Sequence, residues 1–191
     1  GFWGGAVKGN LEKLEGIALT PLMGNAVSWL SDQQHLLVRR LPPRGPVPAS
    51  ARIGTDILES VGASARSTYE ARNLLQTAYD DDLFEYYMTS ELVIIATTTR
   101  QATIIGAPAP YTMAQFSPSG EYILVKRLVS PWSHEVTWRR FASEIEVWNT
   151  KGEMITTIAS LPIADQVPTH GVPAGPRSIA WRPTAPQTLF C

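Results

Sequence analysis

Cysteine is nearly absent from this 191-residue chain: its one copy, Cys191, is the last residue. No internal disulfide can form, which excludes the stapled scaffolds of small secreted proteins and makes a reducing compartment the expectation. A surplus of one charge is lacking too, with 16 basic against 17 acidic side chains and a formal net charge of -1. Duplex binding needs a basic surplus or a basic face, so no nucleic-acid partner is expected. Charged residues make up only 17% of the chain against 44% hydrophobic, where roughly 25% charged is usual for soluble domains. A surface so thin in charge is expected to meet another protein. Long apolar runs are also missing: the longest, Leu92 to Ala96, is strand length, well short of the ~18 residues of a membrane span. There is no initiating Met and no signal-peptide layout. Gly1-Phe2-Trp3 reads as an internal or processed start, and with a terminal Cys191 it suggests a piece of something longer.

Catalytic signatures are equally scarce. A nucleophile elbow needs Gly-x-Ser-x-Gly, because only small flanks allow its strained strand-to-helix turn. The nearest stretch is Gly62-Ala-Ser-Ala-Arg66, where Arg66 fills a place that must be small, so Ser64 is not expected to act as a nucleophile. The three histidines are His35, His134 and His170. His35 opens a strand and reads as a partly exposed sheet residue; the other two lie in loops. No His-x-x-x-His or paired-cysteine spacing suggests a metal, and no glycine-rich phosphate cradle is present. Asp80-Asp81-Asp82 lacks the alternating spacing of a cation loop and is better explained as helix capping. The expected sets of catalytic, cofactor-binding and metal-binding residues are therefore empty, and no cofactor is expected. Lys126-Arg127 and Arg139-Arg140 read as solvated strand ends. Trp132, Trp138, Phe141 and Trp148 read as packing residues, with a docking patch as the minority reading.

Turn formers, by contrast, are plentiful, with 14 Gly and 15 Pro, which disfavours a helical bundle. Residues 1–24 form a weakly patterned N-terminal segment. A strand ending at Trp29, a polar turn over Ser31 to Gln34 and a strand from His35 to Arg39 follow. The Pro-rich stretch 41–50 is a linker, since its prolines cannot donate to a sheet ladder. Residues 67–88 carry the helical signal: Ser67-Thr-Tyr-Glu70 matches a capping box, and Leu74, Leu75 and Ala78 supply an apolar face. Asp80 to Asp82 cap a second short turn through Phe84, Tyr86 and Tyr87. From Glu91 onward strands are predicted at 92–97, 102–105, 112–116, 122–127, 145–148, 154–158, 178–181 and 188–190, each bounded by turn residues.

A repeat runs through these strands. Ala114-Gln-Phe-Ser-Pro-Ser-Gly-Glu-Tyr-Ile-Leu-Val125 echoes Val27 to Val38, and Ser178 to Phe190 echoes both. Between the last two copies, Glu144 to Thr156 reads as a hairpin turning at Asn149 to Gly152. One four-stranded unit per repeat is what a propeller blade supplies. The spacings, 87 residues from Trp29 to Phe116 and 65 from Phe116 to Trp181, exceed the ~40–45 of regular WD40 blades. The linker, the helical insert and the loops at 128–143 and 161–176 account for the excess. The expected fold is mainly β, a partial β-propeller of about three four-stranded antiparallel blades over residues 25–191 with a short helical insert. A β-sandwich is the rival.

Several stretches together resemble the N-terminal propeller region of glutamyl endopeptidase, the plastid and bacterial branch of the prolyl oligopeptidase-type serine peptidases. They include Ser28-Trp-Leu-Ser-Asp32, Arg66-Ser-Thr-Tyr69, Asn73-Leu-Leu75, Tyr79-Asp-Asp-Asp-Leu-Phe-Glu-Tyr-Tyr87 and Thr89 to Val93. They continue with Ser117-Pro-Ser-Gly-Glu-Tyr-Ile-Leu-Val125, Arg140-Phe141, Glu144 to Trp148, Leu161 to Asp165 and Gly175-Pro-Arg-Ser-Ile-Ala-Trp181. The acidic Leu-Phe-Glu-Tyr-Tyr and the Gly-Pro-Arg-Ser-x-x-Trp segments are the specific ones. Asp56 and Glu91 stand where the family usually has Gln, and residues 1–20 match poorly. The resemblance implies a seven- to eight-bladed propeller covering a C-terminal α/β-hydrolase domain that holds Ser, Asp and His. It also implies cleavage after acidic residues, Glu foremost, with the propeller limiting access to short or unfolded substrates. No catalytic residue of the family maps onto this chain.

Two functional expectations follow. In one, the chain is the propeller portion of such a peptidase, gating or positioning a peptide substrate beside the hydrolase domain and further blades. In the other, it is a non-catalytic, peptidase-derived propeller fragment serving as a structural or interaction subunit. The expected location is the chloroplast stroma, with the bacterial cytoplasm as the alternative.

Overall fold

The computed structural model describes residues 2–4, 12–49, 74–168 and 171–191. Two N-terminal strands, β1 (Phe2–Gly4) and β2 (Glu12–Leu14), pair antiparallel. The first full sheet contains β3 (Val27–Trp29), β4 (His35–Arg40), β5 (Ser90–Ala96) and β6 (Ala102–Ala109) in that order. The second contains β7 (Tyr111–Phe116), β8 (Tyr122–Leu128), β9 (Ser143–Asn149) and β10 (Met154–Leu161), again in sequence order. A last hairpin, β11 (Ala180–Trp181) with β12 (Leu189–Phe190), begins another unit. All these pairings are antiparallel between chain neighbours. The mainly β fold with antiparallel meander sheets is as expected, and two complete four-stranded sheets with a started third are consistent with a partial propeller.

The central strands explain the stacking. Leu36-Leu-Val38, Leu92-Val-Ile-Ile95 and Ile123-Leu-Val125 are apolar without alternation, the pattern of strands covered on both faces. The two faces bury into different cores. Leu37, Leu92, Ile123 and Val125 meet between the two full sheets. Leu36, Val38, Val93 and Ile95 face the other way, under Leu14, Ile17, Leu19 and Val27. On the second sheet, Leu124, Ile145 and Val147 turn outward against Trp181 of the last hairpin and Ile179 just before it. A β-sandwich would leave one face of each sheet wet; here the layers run N-terminal segment, first sheet, second sheet, last hairpin. Trp181 ties that hairpin down by donating Nε1–H to the Gln115 carbonyl at 3.1 Å.

The described helix occupies the segment where a second short turn was expected. The helix α1 spans Ala78–Met88 with Thr77 as its N-cap, and the Ser67–Glu70 box lies outside the described residues. Leu74 to Gln76 precede α1 without regular structure, so Leu74 and Leu75 do not belong to its apolar face. The operative capping box is Thr77 with Asp80. The Asp80 amide donates to Thr77 Oγ1 at 3.2 Å, and Asp80 Oδ2 accepts from the Gln76 and Thr77 amides at 3.0 and 2.9 Å. An aspartate fills the third helical position as well as the usual glutamate, because its carboxylate reaches the same orphan donors. Those amides hold the Asp80 carboxyl below its ordinary range. Asp80 is thus a cap, as expected, for a helix longer than the short turn predicted there. Phe84 anchors α1 in a cluster with Trp132 and Phe141, at ring-centroid distances of 5.0 and 5.4 Å. The Pro-rich stretch straps across α1: Arg44 stacks 4.1 Å above the Tyr86 ring and Tyr86 Oη donates to the Gly45 carbonyl at 3.0 Å.

Candidate functional site

The seam between the two full sheets concentrates the polar and aromatic groups that the apolar runs cannot explain. Arg39, on β4, is 4% exposed. Its Nη1 donates to the Tyr111 carbonyl at 2.6 Å, and its Nε and Nη2 donate to the Asn25 carbonyl at 2.9 and 2.8 Å. One guanidinium therefore bridges from the first sheet to the start of β7. Burial pulls the Arg39 pKa down, and the carbonyls supply the solvation that water would. Gly24 makes room for it: a Cβ there would stand 2.8 Å from Arg39 Nη2.

On the facing sheet, Tyr111 is buried and packs edge-on against Trp148, with centroids 5.9 Å apart. Its hydroxyl donates to the Ala107 carbonyl across the seam, and burial pushes the phenol pKa up. Trp148 Nε1 donates to Glu146 Oε2 at 2.8 Å. Glu146 and Glu144 both accept from Arg127, Glu146 at 3.2 Å. Burial alone would lower the Arg127 pKa, but the Glu146 hydrogen bond and the two carboxylate charges outweigh it, and the net shift is upward. The Trp148 ring then lies over Gly106 of β6, where an added Cβ would come within 2.3 Å of the indole. Gly152, in the β9–β10 turn, approaches the same strand, with its would-be Cβ 2.6 Å from the Gly106 nitrogen. Two glycines with positive φ, +71° and +83°, let the sheets close.

At one end of the seam the strand tips enclose a cleft of about 390 Å³ whose wall includes Asp32, His35, Gln101 and Thr150. His35 Nδ1 sits 2.6 Å from Asp32 Oδ2, while Asp32 Oδ1 accepts from the Gln34 and His35 amides at 2.8 and 3.1 Å. Those bonds, the Gln34 amide first, lower the Asp32 pKa. His35 opens β4 and is partly exposed, as its sequence position implied. His134 lies in its loop and bonds Asp81 at 2.8 Å. Ser64, His170 and Asp56 lie outside the described residues. Among the described residues, no group of three or more His, Cys, Asp or Glu could hold a metal ion, and no helix is long and apolar enough to cross a membrane.

Other expectations divide. Trp132, Phe141 and Trp148 are packing residues: the first two stack within the α1 cluster, the third within the seam. Trp138 packs at the edge of the α1 cluster, with Arg139 5.0 Å above its ring. Lys126-Arg127 is not a solvated strand end; Arg127 is locked in the seam and Lys126 is half-buried on the opposite face. Arg140 donates to the Val167 and Pro168 carbonyls at 2.7 and 3.1 Å, holding the loop after β10. Glu91 is buried and paired with Arg40 at 2.7 Å, so its charge where the family usually has Gln is matched locally. Sequence reasoning missed Arg39, Tyr111 and Gly106. Only Gly106 carried a signal, a glycine inside a strand, which marks a close backbone approach.

With the geometry in place, comparison with known proteins adds ancestry. A probable chloroplastic glutamyl endopeptidase of Oryza sativa subsp. japonica is 37% identical over 157 residues, 81% of this chain. The corresponding Arabidopsis thaliana protein is 35% identical over 167 residues, 85% of the chain. The chain is related to the glutamyl endopeptidases. It spans about one sixth of these relatives, 16% and 17% of their lengths. No family model matches the chain, and no solved structure does. The glutamyl endopeptidase-like relationship covers more than the two full sheets require, so the seam falls largely within shared sequence.

Proposed function

We propose that the chain is the propeller portion of a glutamyl endopeptidase-like serine peptidase in the chloroplast stroma, gating or positioning peptides for a hydrolase domain outside this chain and supplying no catalytic residue itself. The observation that carries this is the 35–37% identity to chloroplastic glutamyl endopeptidases over four fifths of the chain. Two features support it. The layered sheets put structural side chains, rather than a reactive constellation, where the fold is best built. Among the described residues, the two histidine rings pair with carboxylates, Asp32 and Asp81, and neither bonds a serine hydroxyl, as a nucleophile–base pair requires.

A scaffold role is favoured by a separate observation. The outer strand β10 exposes Met154, Ile155 and Ile158, an apolar edge of the kind that other protein covers. The two readings agree that this chain does not cut, and that is directly measurable. Incubated alone with a fluorogenic peptide containing Glu, the purified chain is expected to release product no faster than buffer. Release that copurifies with the chain and disappears in Ser64→Ala would overturn the proposal.

A further inference from the structure

The outward face of the second sheet is largely apolar around one lysine. Met113, Leu124, Ile145 and Val147 line it with their neighbours on the last hairpin, and Lys126, paired in register with Met113 and Ile145, shares that face. Lys126 is half-buried, and among the described residues its ammonium has no hydrogen-bond or ion-pair partner. Burial pulls its pKa down, the sign of a cation whose lost hydration nothing replaces.

Lys126 opens into a cavity of about 400 Å³ between β8–β9 and the loops at 161–167 and 173–179. The wall is mostly aliphatic and prolyl. Besides Lys126 its lining includes Arg139, Arg140 and Arg177 and, among the described residues, no Asp or Glu. Arg140 is occupied by loop carbonyls. Arg139 rests on the Trp138 ring, and Arg177 has no ion-pair partner among the described residues. An apolar pocket with a half-buried, unpartnered ammonium on its wall and arginines in its lining selects an anion carried on an apolar body. The volume is that of a small-molecule site, and its walls are two loops and a sheet face rather than an open strand edge.

We infer that this cavity binds a free aliphatic monocarboxylate, its carboxylate on Lys126 with Arg177 at the rim and its tail along Phe141, Ile145, Leu161 and Ile179. The site lies on the face of the second sheet opposite the seam, so it is separate from the gating role proposed above and does not rest on it.

Octanoate is the probe, with the full 191-residue chain and titration calorimetry as the readout. One octanoate is expected to bind per chain, and octanol, which keeps the tail and drops the charge, at least tenfold more weakly. Lys126→Met is expected to weaken octanoate at least tenfold while raising the melting temperature, because methionine suits the apolar face. That rise separates lost binding from lost folding. Arg177→Gln is expected to weaken binding several-fold. The inference fails if octanoate does not saturate, if octanol binds as well as octanoate, or if Lys126→Met leaves the affinity unchanged. Tighter binding by the blocked peptide acetyl-Leu-Glu-Leu-amide than by octanoate would also overturn it, by making the pocket a peptide site.

Discussion

Gly106→Ala is expected to lower the melting temperature by about 10 °C, roughly 3 kcal/mol at the few degrees per kcal/mol usual for a chain of this size. Two terms add. Alanine at a φ of +71° costs about 1 kcal/mol. The new methyl carbon would stand 2.3 Å from the Trp148 ring, and relieving such overpacking costs about 2 kcal/mol more. Gly16 separates the terms, since its φ is +74° and nothing lies within 4 Å of a Cβ there; Gly16→Ala should cost only the first. Trp148→Ala should cost about 4 kcal/mol through the cavity it leaves. In the Trp148→Ala background the steric part of the Gly106→Ala cost vanishes, so the double-mutant cycle should show a coupling of about 2 kcal/mol. Chemical denaturation of the four proteins measures it. Additive costs would mean that the two sheets do not close on each other through this ring.

Arg39→Met is expected to cost about 3 kcal/mol in urea unfolding. Methionine retains most of the stem's packing but none of the donors, so the Asn25 and Tyr111 carbonyls lose three charge-assisted hydrogen bonds. Stranding a buried acceptor costs about 1–3 kcal/mol, and two are stranded. The relief of burying one fewer charge opposes this, which is why the sum is not larger. Arg39→Lys should recover less than half, because one ammonium cannot span two carbonyls that the guanidinium fork reaches together. If Arg39→Met changed stability by less than about 0.5 kcal/mol, an ordinary surface-like effect, the guanidinium would not be a tie between the sheets.

Strand positions were legible because turn residues punctuate them and because Leu36 to Val38, Leu92 to Ile95 and Ile123 to Val125 are apolar at every position. That unbroken pattern also held the clue to stacking on both faces. A full helix stands at Ala78–Met88 where only a short turn was expected, because Thr77 and Asp80 form a capping box with a shorter acid that the motif undervalues. The seam was harder still. Whether an arginine ends in water or on two carbonyls depends on where Asn25 and Tyr111 arrive, and those lie 14 and 72 residues away. Lys126 beside Arg127 looked like a solvated pair, yet neighbouring strand residues point to opposite faces. One lysine entered an apolar cavity while its neighbour joined two glutamates.

The gating role is tested most directly in a chimera. In it, the matching stretch of the Oryza sativa relative is replaced by this chain, and kcat/KM is compared for a short Glu-containing peptide and for the same sequence within a folded protein. The account predicts that the chimera cleaves the short peptide in strong preference, and that Gly106→Ala, by loosening the seam, shrinks that preference. A folded chimera whose preference is the same with and without Gly106→Ala would contradict it.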